Sequence, residues 1–230
     1  MPCEIRLATP EDGSSLASIY APAVIARATS FELEPPDAAE MARRVARTTL
    51  HQPWLVCESG QAVLGYVYAS AHRERPAYRW SVEVSAYMSE KVHRVGLGRA
   101  LYTALFGVLA LQGYRNALAG IALPNPASVG LHEALGFGLV GVYRGVGYKL
   151  GRWHDVGWWQ KDLSPRGLEP EPPYQGTAEG AAFGRSIRLE PPRSLPEIVS
   201  EPAFSQALRS GERLLDEARI AAALTDEGAR

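Results

Sequence analysis

Apolar and polar positions alternate over residues 5–8, then change to a spacing that puts Leu16, Ile19, Tyr20, Ala23 and Val24 on one face. That switch predicts a strand followed by a helix. Thr9, Pro10 and Asp12 stand where a capping residue, a first-turn proline and a returning carboxylate open a helix. A second helix is expected from Asp37, with Glu40 three residues on and Met41 and Val45 pointing inward. Residues 54–58 and 63–70 read as strands joined at Ser59 and Gly60, a hairpin. Residues 78–88 alternate again, with Trp80, Val82, Val84 and Ala86 on one face and Arg79, Ser81, Glu83, Ser85 and Tyr87 on the other. A helix over 96–112, a strand over 116–122, a helix over 125–135 and strands over 137–142 and 147–163 complete the pattern. This order predicts an α/β (α+β) layer fold, a mixed, mostly antiparallel twisted sheet flanked by helices.

The periodicity breaks near residue 164. Residues 1–163 read as one domain and residues 164–194 as a Pro/Gly-rich linker, too poor in branched apolar residues to bury a core. Helical spacing returns over 195–230 through Leu208, Leu214, Leu215, Ile220 and Leu224. This C-terminal extension is either a weakly ordered tail on the domain surface or a docked partner-binding helix, and activity is expected to survive without it.

Composition narrows the function. The 230 residues carry a formal net charge of −1, without the basic excess of a nucleic-acid binder. The two cysteines, Cys3 and Cys57, suit neither a disulfide framework nor a zinc knuckle. His51, His72 and His154 are not at metal-ligand spacing and read as surface or packing residues, so no metal is expected. The longest apolar run, near 104–111, is far short of the roughly 20 residues of a membrane span. The opening residues show no secretory pattern. A soluble cytoplasmic protein is the expectation.

The stretch His93-Arg94-Val95-Gly96-Leu97-Gly98-Arg99 carries most information. Its glycines stand where a strand turns into a helix, so the backbone can approach a ligand and the first helical N–H groups face outward. Such a terminus attracts phosphate, and Arg94 and Arg99 add cations suited to a diphosphate. The nucleotide pattern GxxxxGK[ST] is absent, and Leu101 occupies the third glycine of GxGxxG. A simple glycine pair at a helix start fits the spacing as well.

The segment VHRVGLGRALYTAL resembles the acyl-CoA pyrophosphate motif R/Q-x-x-G-x-G/A of the Gcn5-related N-acetyltransferases (GNAT), with His93 in place of the usual Arg or Gln. LPNPASVGLHEALGF resembles the last helix of that superfamily and its LGF corner. TSFELEPP, PWLV, RPAYRWSVEVSAYM and GVGYKLGRWHDVGWWQ extend the likeness to the phosphinothricin acetyltransferase branch over about residues 4–163.

The resemblance implies acetyl-CoA as co-substrate and acetylation of the α-amine of a small amino-acid-like acceptor. An ammonium must lose a proton before it attacks a thioester, so the chemistry needs a base, oxyanion donors and a proton source for the thiolate. Glu83 stands at the family's glutamate position as the base, and His132 at that branch's histidine. The coenzyme is expected at the backbone of Tyr87 and Met88, at His93, Arg94, Val95, Gly96, Gly98 and Arg99, and at Asn125 and Ser128. Arg73, Arg75 and Tyr78 would hold the acceptor's carboxylate or phosphinate, with Phe31, Tyr87, Ala122 and Val156 shaping its pocket. Phe31, Arg75 and Tyr78 would close that pocket for a small molecule, whereas an open cleft would suit a peptide or protein N-terminus. A non-catalytic CoA-binding sensor is the remaining alternative. Relatives of this kind pair as homodimers, so a homodimer is expected, with neither nucleic acid nor membrane as partner.

Overall fold

The computed structural model describes residues 2–92, 94–163 and 192–225. Seven strands make one sheet: β1 (Cys3–Leu7), β2 (Trp54–Ser59), β3 (Ala62–Ala71), β4 (Ser81–Met88), β5 (Asn116–Leu123), β6 (Gly138–Lys149) and β7 (Arg152–Asp162). Their order is β1-β2-β3-β4-β5-β7-β6. Every neighbouring pair is antiparallel except β4 and β5. Helices α1 (Gly13–Ile25) and α2 (Ala38–Thr48) cover one face, and α3 (Leu97–Gln112) covers the other. Helix α4 (Pro126–Ala134) follows β5.

Alternation along the strands divides the core between the two faces. Trp54, Val56 and Tyr66 pack with Leu16, Tyr20 and Val24 of α1 and with Met41 and Val45 of α2. Leu55, Val67, Val82 and Val84 turn the other way, into the cluster that holds Leu97, Leu101, Leu105 and Leu109 of α3. Each such buried leucine contributes roughly 1.5–3 kcal/mol, against at most about 0.7 kcal/mol per residue from helix propensity. Packing therefore decides where α3 lies.

The capping expectations match the geometry. Thr9 and Asp12 form a capping box, with the Thr9 N–H donating to the Asp12 carboxylate at 2.8 Å. The Asp37 side chain accepts from the Glu40 N–H at 2.7 Å. Two boundaries differ. Residues 76–78 form a 3-10 turn begun by Pro76, so β4 starts at Ser81. The last two strands turn at Leu150 and Gly151 (φ 51° and 75°), not at 143–146, where Gly145 (φ 53°) lies at a register shift within β6. Its N–H donates to the Asp155 carboxylate at 2.8 Å, which keeps the strand paired through the irregularity.

The C-terminal segment is helical, as its spacing predicts, and packs into the domain. Residues 164–191 of the expected linker lie outside the described residues. Beyond them, α5 (Leu195–Ile198), α6 (Pro202–Glu212) and α7 (Glu217–Thr225) are not a loose surface tail. Leu195, Ile198, Phe204 and Ala207 are buried in a cluster with Val108 of α3, and Ile220 joins the core beneath the sheet. Small residues set the approach of α6 to α3: a Cβ on Gly211 would lie 2.8 Å from that of Ala104. Glu217 and Glu212 accept hydrogen bonds from the β1 N–H groups of Cys3 and Ile5, both at 3.1 Å, protecting the edge strand.

Candidate active site

Strands β4 and β5 pair only where Ser81–Glu83 meets residues 116–118 and then part, β5 continuing beside β7. The fork opens into a cavity of about 570 Å³ whose walls include residues 84–88 of β4, residues 119–122 of β5, the start of α3 and one side of α4. The Ser89 N–H donates to the Leu64 carbonyl. Ladder alternation therefore turns the Met88 N–H towards the cavity and the Tyr87 N–H back to β3, so of the two expected backbone donors only Met88 faces the opening.

The glycine turn closes one end. Arg94 (φ 61°) and Gly96 (φ 85°) are both left-handed, and the Gly96 cap brings no side chain to the first N–H groups of α3. Those donors, with Arg94 and Arg99 on the cavity wall, fit a diphosphate. Gly98 has a packing reason as well, since a Cβ there would lie 3.0 Å from Leu131. Val95 points into the core and does not line the cavity. His93 lies outside the described residues.

Helix α4 brings Asn125, Ser128 and His132 to the same cavity. Asn125 caps the helix, accepting from the Ser128 N–H at 3.1 Å. His132 is 4% exposed, and its Nδ1 donates to the Ser128 carbonyl at 2.8 Å. That leaves Nε2 to accept from the Tyr102 hydroxyl at 3.1 Å. Burial pushes the imidazole below its ordinary range, opposed by the hydrogen bond to the Ser128 carbonyl. Burial also raises the Tyr102 hydroxyl far above its usual range, keeping its proton in place.

Glu83 stands at the fork, where the last β4–β5 pair is Glu83 with Leu118. Its carboxylate accepts from His72 Nδ1 at 2.9 Å and approaches Arg73 at 3.5 Å. Glu83 does not line the cavity; Ser85 and Tyr87, next along its face of β4, do. Ala122 also lines it, with Val156 beside it across the ladder. Arg73, Arg75 and Tyr78 instead line a separate groove of about 340 Å³, with Tyr114 and Arg193. Phe31 lines neither: its ring lies over Gly147, so close that a Cβ there would clash with it. The closed pocket expected from Phe31, Arg75 and Tyr78 is therefore not formed within one chain, because Phe31 covers Gly147 of β6 while Arg75 and Tyr78 line the other groove.

Two residues do more than the sequence pattern predicts: Tyr102, which it did not single out, and His72, expected as a surface or packing residue but bonded to Glu83. Tyr102 lies one helical turn beyond Gly98, a spacing that puts both on one side of α3. His72 follows β3 opposite the start of β4, and the register Ser70↔Glu83 brings it within reach of the carboxylate.

A sheet forked beside an uncapped glycine turn, with a carboxylate at the fork and an imidazole across from it, defines an acyl-coenzyme-dependent transferase domain. The chain belongs to the GNAT acetyltransferase family, whose profile, acetyltransferase (GNAT) domain, matches residues 5–158. It stands on the phosphinothricin acetyltransferase branch. The phosphinothricin N-acetyltransferase of Streptomyces viridochromogenes is 40% identical over 173 residues, 74% of this chain and 94% of that enzyme. The L-methionine sulfoximine/L-methionine sulfone acetyltransferase of Salmonella typhimurium is 34% identical over 160 residues, 69% of this chain and 94% of that enzyme. The crystal structure of a phosphinothricin acetyltransferase from Sinorhizobium meliloti in complex with AcCoA superposes with a TM-score of 0.67 at 39% identity, covering 71% of this chain and 89% of that one.

Proposed function

We propose that this enzyme transfers an acetyl group from acetyl-CoA to the α-amine of a small amino-acid-like acceptor of the phosphinothricin, methionine sulfone or methionine sulfoximine type. The observation that carries the reading is the fork itself: the β4 backbone that leaves the β5 ladder and the first N–H groups of α3 border one cavity, and Glu83 holds the last β4–β5 pair at its entrance. The coenzyme supplies a thioester carbonyl open to attack by an amine.

The N–H groups of α3, with Arg94 and Arg99, hold the diphosphate, and Asn125 and Ser128 hold the pantetheine arm. The Met88 N–H meets the carbonyl oxygen as charge gathers there. Glu83 removes the proton from the acceptor's ammonium, directly or through a water, while Arg73, Arg75 and Tyr78 hold its acidic group at the groove beside the fork. The departing sulfur takes up the proton that the amine sheds on acylation, beside the hydrogen-bonded Tyr102–His132 pair on the cavity wall. Both cysteines are buried, and burial pushes the Cys57 thiol up to about 12. Neither lines the cavity, so no cysteine stands there to carry an acetyl group, and direct transfer is the route.

A cytoplasmic homodimer completes the proposal. The β6–β7 hairpin exposes Tyr143, Val146, Tyr148, Leu150 and Trp153, an apolar surface suited to a second copy. No helix among the described residues is long and apolar enough to cross a membrane. A thiol-release assay with acetyl-CoA against a panel of amino-acid analogues tests the function. Turnover is expected with phosphinothricin or a methionine sulfone analogue. Coenzyme binding without turnover on any amine would instead identify a sensor.

A further inference from the structure

The family profile ends at residue 158, yet α6 and α7 reach back to the glycine turn. The Arg219 guanidinium donates to the Arg94 carbonyl at 3.2 Å. Arg219 is itself placed by Asp216, whose carboxylate caps α7 by accepting from the Arg219 N–H at 3.0 Å. The neighbouring Ile220 is fully buried in the cluster that includes Val92 and Val95, on either side of Arg94. In the link between α6 and α7, the Leu214 carbonyl lies 3.8 Å from where a Cβ would stand on Gly96. The extension thus touches the turn at both of its left-handed residues.

Arg94 needs such support. A side chain at φ 61° is strained in a way that glycine is not, and the residue holds that conformation only where its surroundings impose it. Because a peptide unit is planar and trans, fixing the Arg94 carbonyl also fixes the direction of the Val95 N–H.

We propose that the C-terminal helices are a working part of the coenzyme site: Arg219 holds the turn from Arg94 to Gly96 in its anion-binding form, so acetyl-CoA affinity depends on a segment outside the family's common domain. This rests on the coenzyme reading above. Arg219 is a positioning residue, acting through the Arg94 backbone.

The test is calorimetric titration of CoA into the full chain, with thermal melts and acetyl-CoA kinetics alongside. Arg219→Ala is expected to weaken CoA binding about three- to tenfold, the worth of one hydrogen bond, and to raise KM for acetyl-CoA to match. The rate at saturating coenzyme and the melting temperature should stay close to those of the unaltered chain. Arg219→Lys keeps a charged donor and should bind CoA with intermediate affinity. A variant that melts earlier but binds CoA as tightly as the unaltered chain would show a merely structural contact and overturn the proposal, as would equal affinity at equal stability. If the unaltered chain itself takes up no CoA, the functional reading fails, and this inference with it.

Discussion

His72 Nδ1 lies 2.9 Å from Glu83 Oε1, tying the loop after β3 to the point where β4 and β5 separate. In the proposed transfer Glu83 is the base that meets the ammonium, and the His72 contact fixes its rotamer. Glu83→Gln is expected to lower kcat by roughly 10²–10³-fold, within the range of a positioned acid–base group. His72→Ala should cost less, roughly three- to tenfold. Because both act on one carboxylate, the double variant should be little slower than Glu83→Gln alone. Steady-state kinetics on the four proteins check this; losses that multiply would separate His72 from Glu83.

Tyr102 and His132 give a pH-dependent prediction. Burial lowers the imidazole pKa from 6.5, so protonation favours the unfolded chain. Its contribution to stability is complete above the unfolded value and declines as pH falls through the window towards the folded one. An NMR titration of His132 should give a midpoint below 6.5. Tyr102→Phe removes the hydroxyl from Nε2 and should cut kcat about tenfold, with little change in KM for acetyl-CoA. A midpoint at or above the ordinary value would mean that the ring is solvated.

What was legible in the chain is what short-range chemistry dictates. Thr9 with Asp12 and Asp37 with Glu40 are capping pairs three residues apart, and each forms its bond in the fold. Alternation along β4 likewise put Glu83 and Tyr87 on one face and Val82 and Val84 on the other. His72 and Tyr102 were not legible, because each gains meaning only from a partner brought near by strand pairing or helix packing. The β6–β7 turn misled for a local reason. Gly145 resembles a turn residue, but Asp155 across the ladder satisfies its N–H and lets the strand continue. Arg75 and Tyr78 were assigned by likeness to one pocket, whereas in a single chain they line the neighbouring groove.

The exposed β6–β7 hairpin leads to a prediction about assembly. Trp153 is 66% exposed, beside the Tyr148 ring at 5.3 Å between centroids. An exposed apolar surface of this kind suits the proposed dimer interface. Trp153→Glu should shift the protein from dimer to monomer in analytical ultracentrifugation without lowering its melting temperature by more than a few degrees. A monomer before any substitution would contradict the dimer.

The C-terminal helices yield the prediction that departs furthest from the sequence pattern. A tail that merely lay on the surface would be removable, and activity would survive its loss. Phe204, Leu195 and Ile198 are instead buried with Val108. Cutting the chain before Leu195 would expose that apolar surface on α3 and strip Cys3 and Ile5 of the carboxylates that accept their N–H groups. Phe204→Ala alone should cost about 3–5 kcal/mol, a large share of the roughly 5–15 kcal/mol by which domains are stable. At roughly 2–4 °C per kcal/mol for a chain of this size, the melting temperature should fall by about 6–20 °C. The truncated chain should be less stable still and prone to aggregate. Calorimetric melts of the three proteins decide the matter: a truncated chain that unfolds cooperatively at the full-length temperature would show that the 1–163 domain holds its core without these helices.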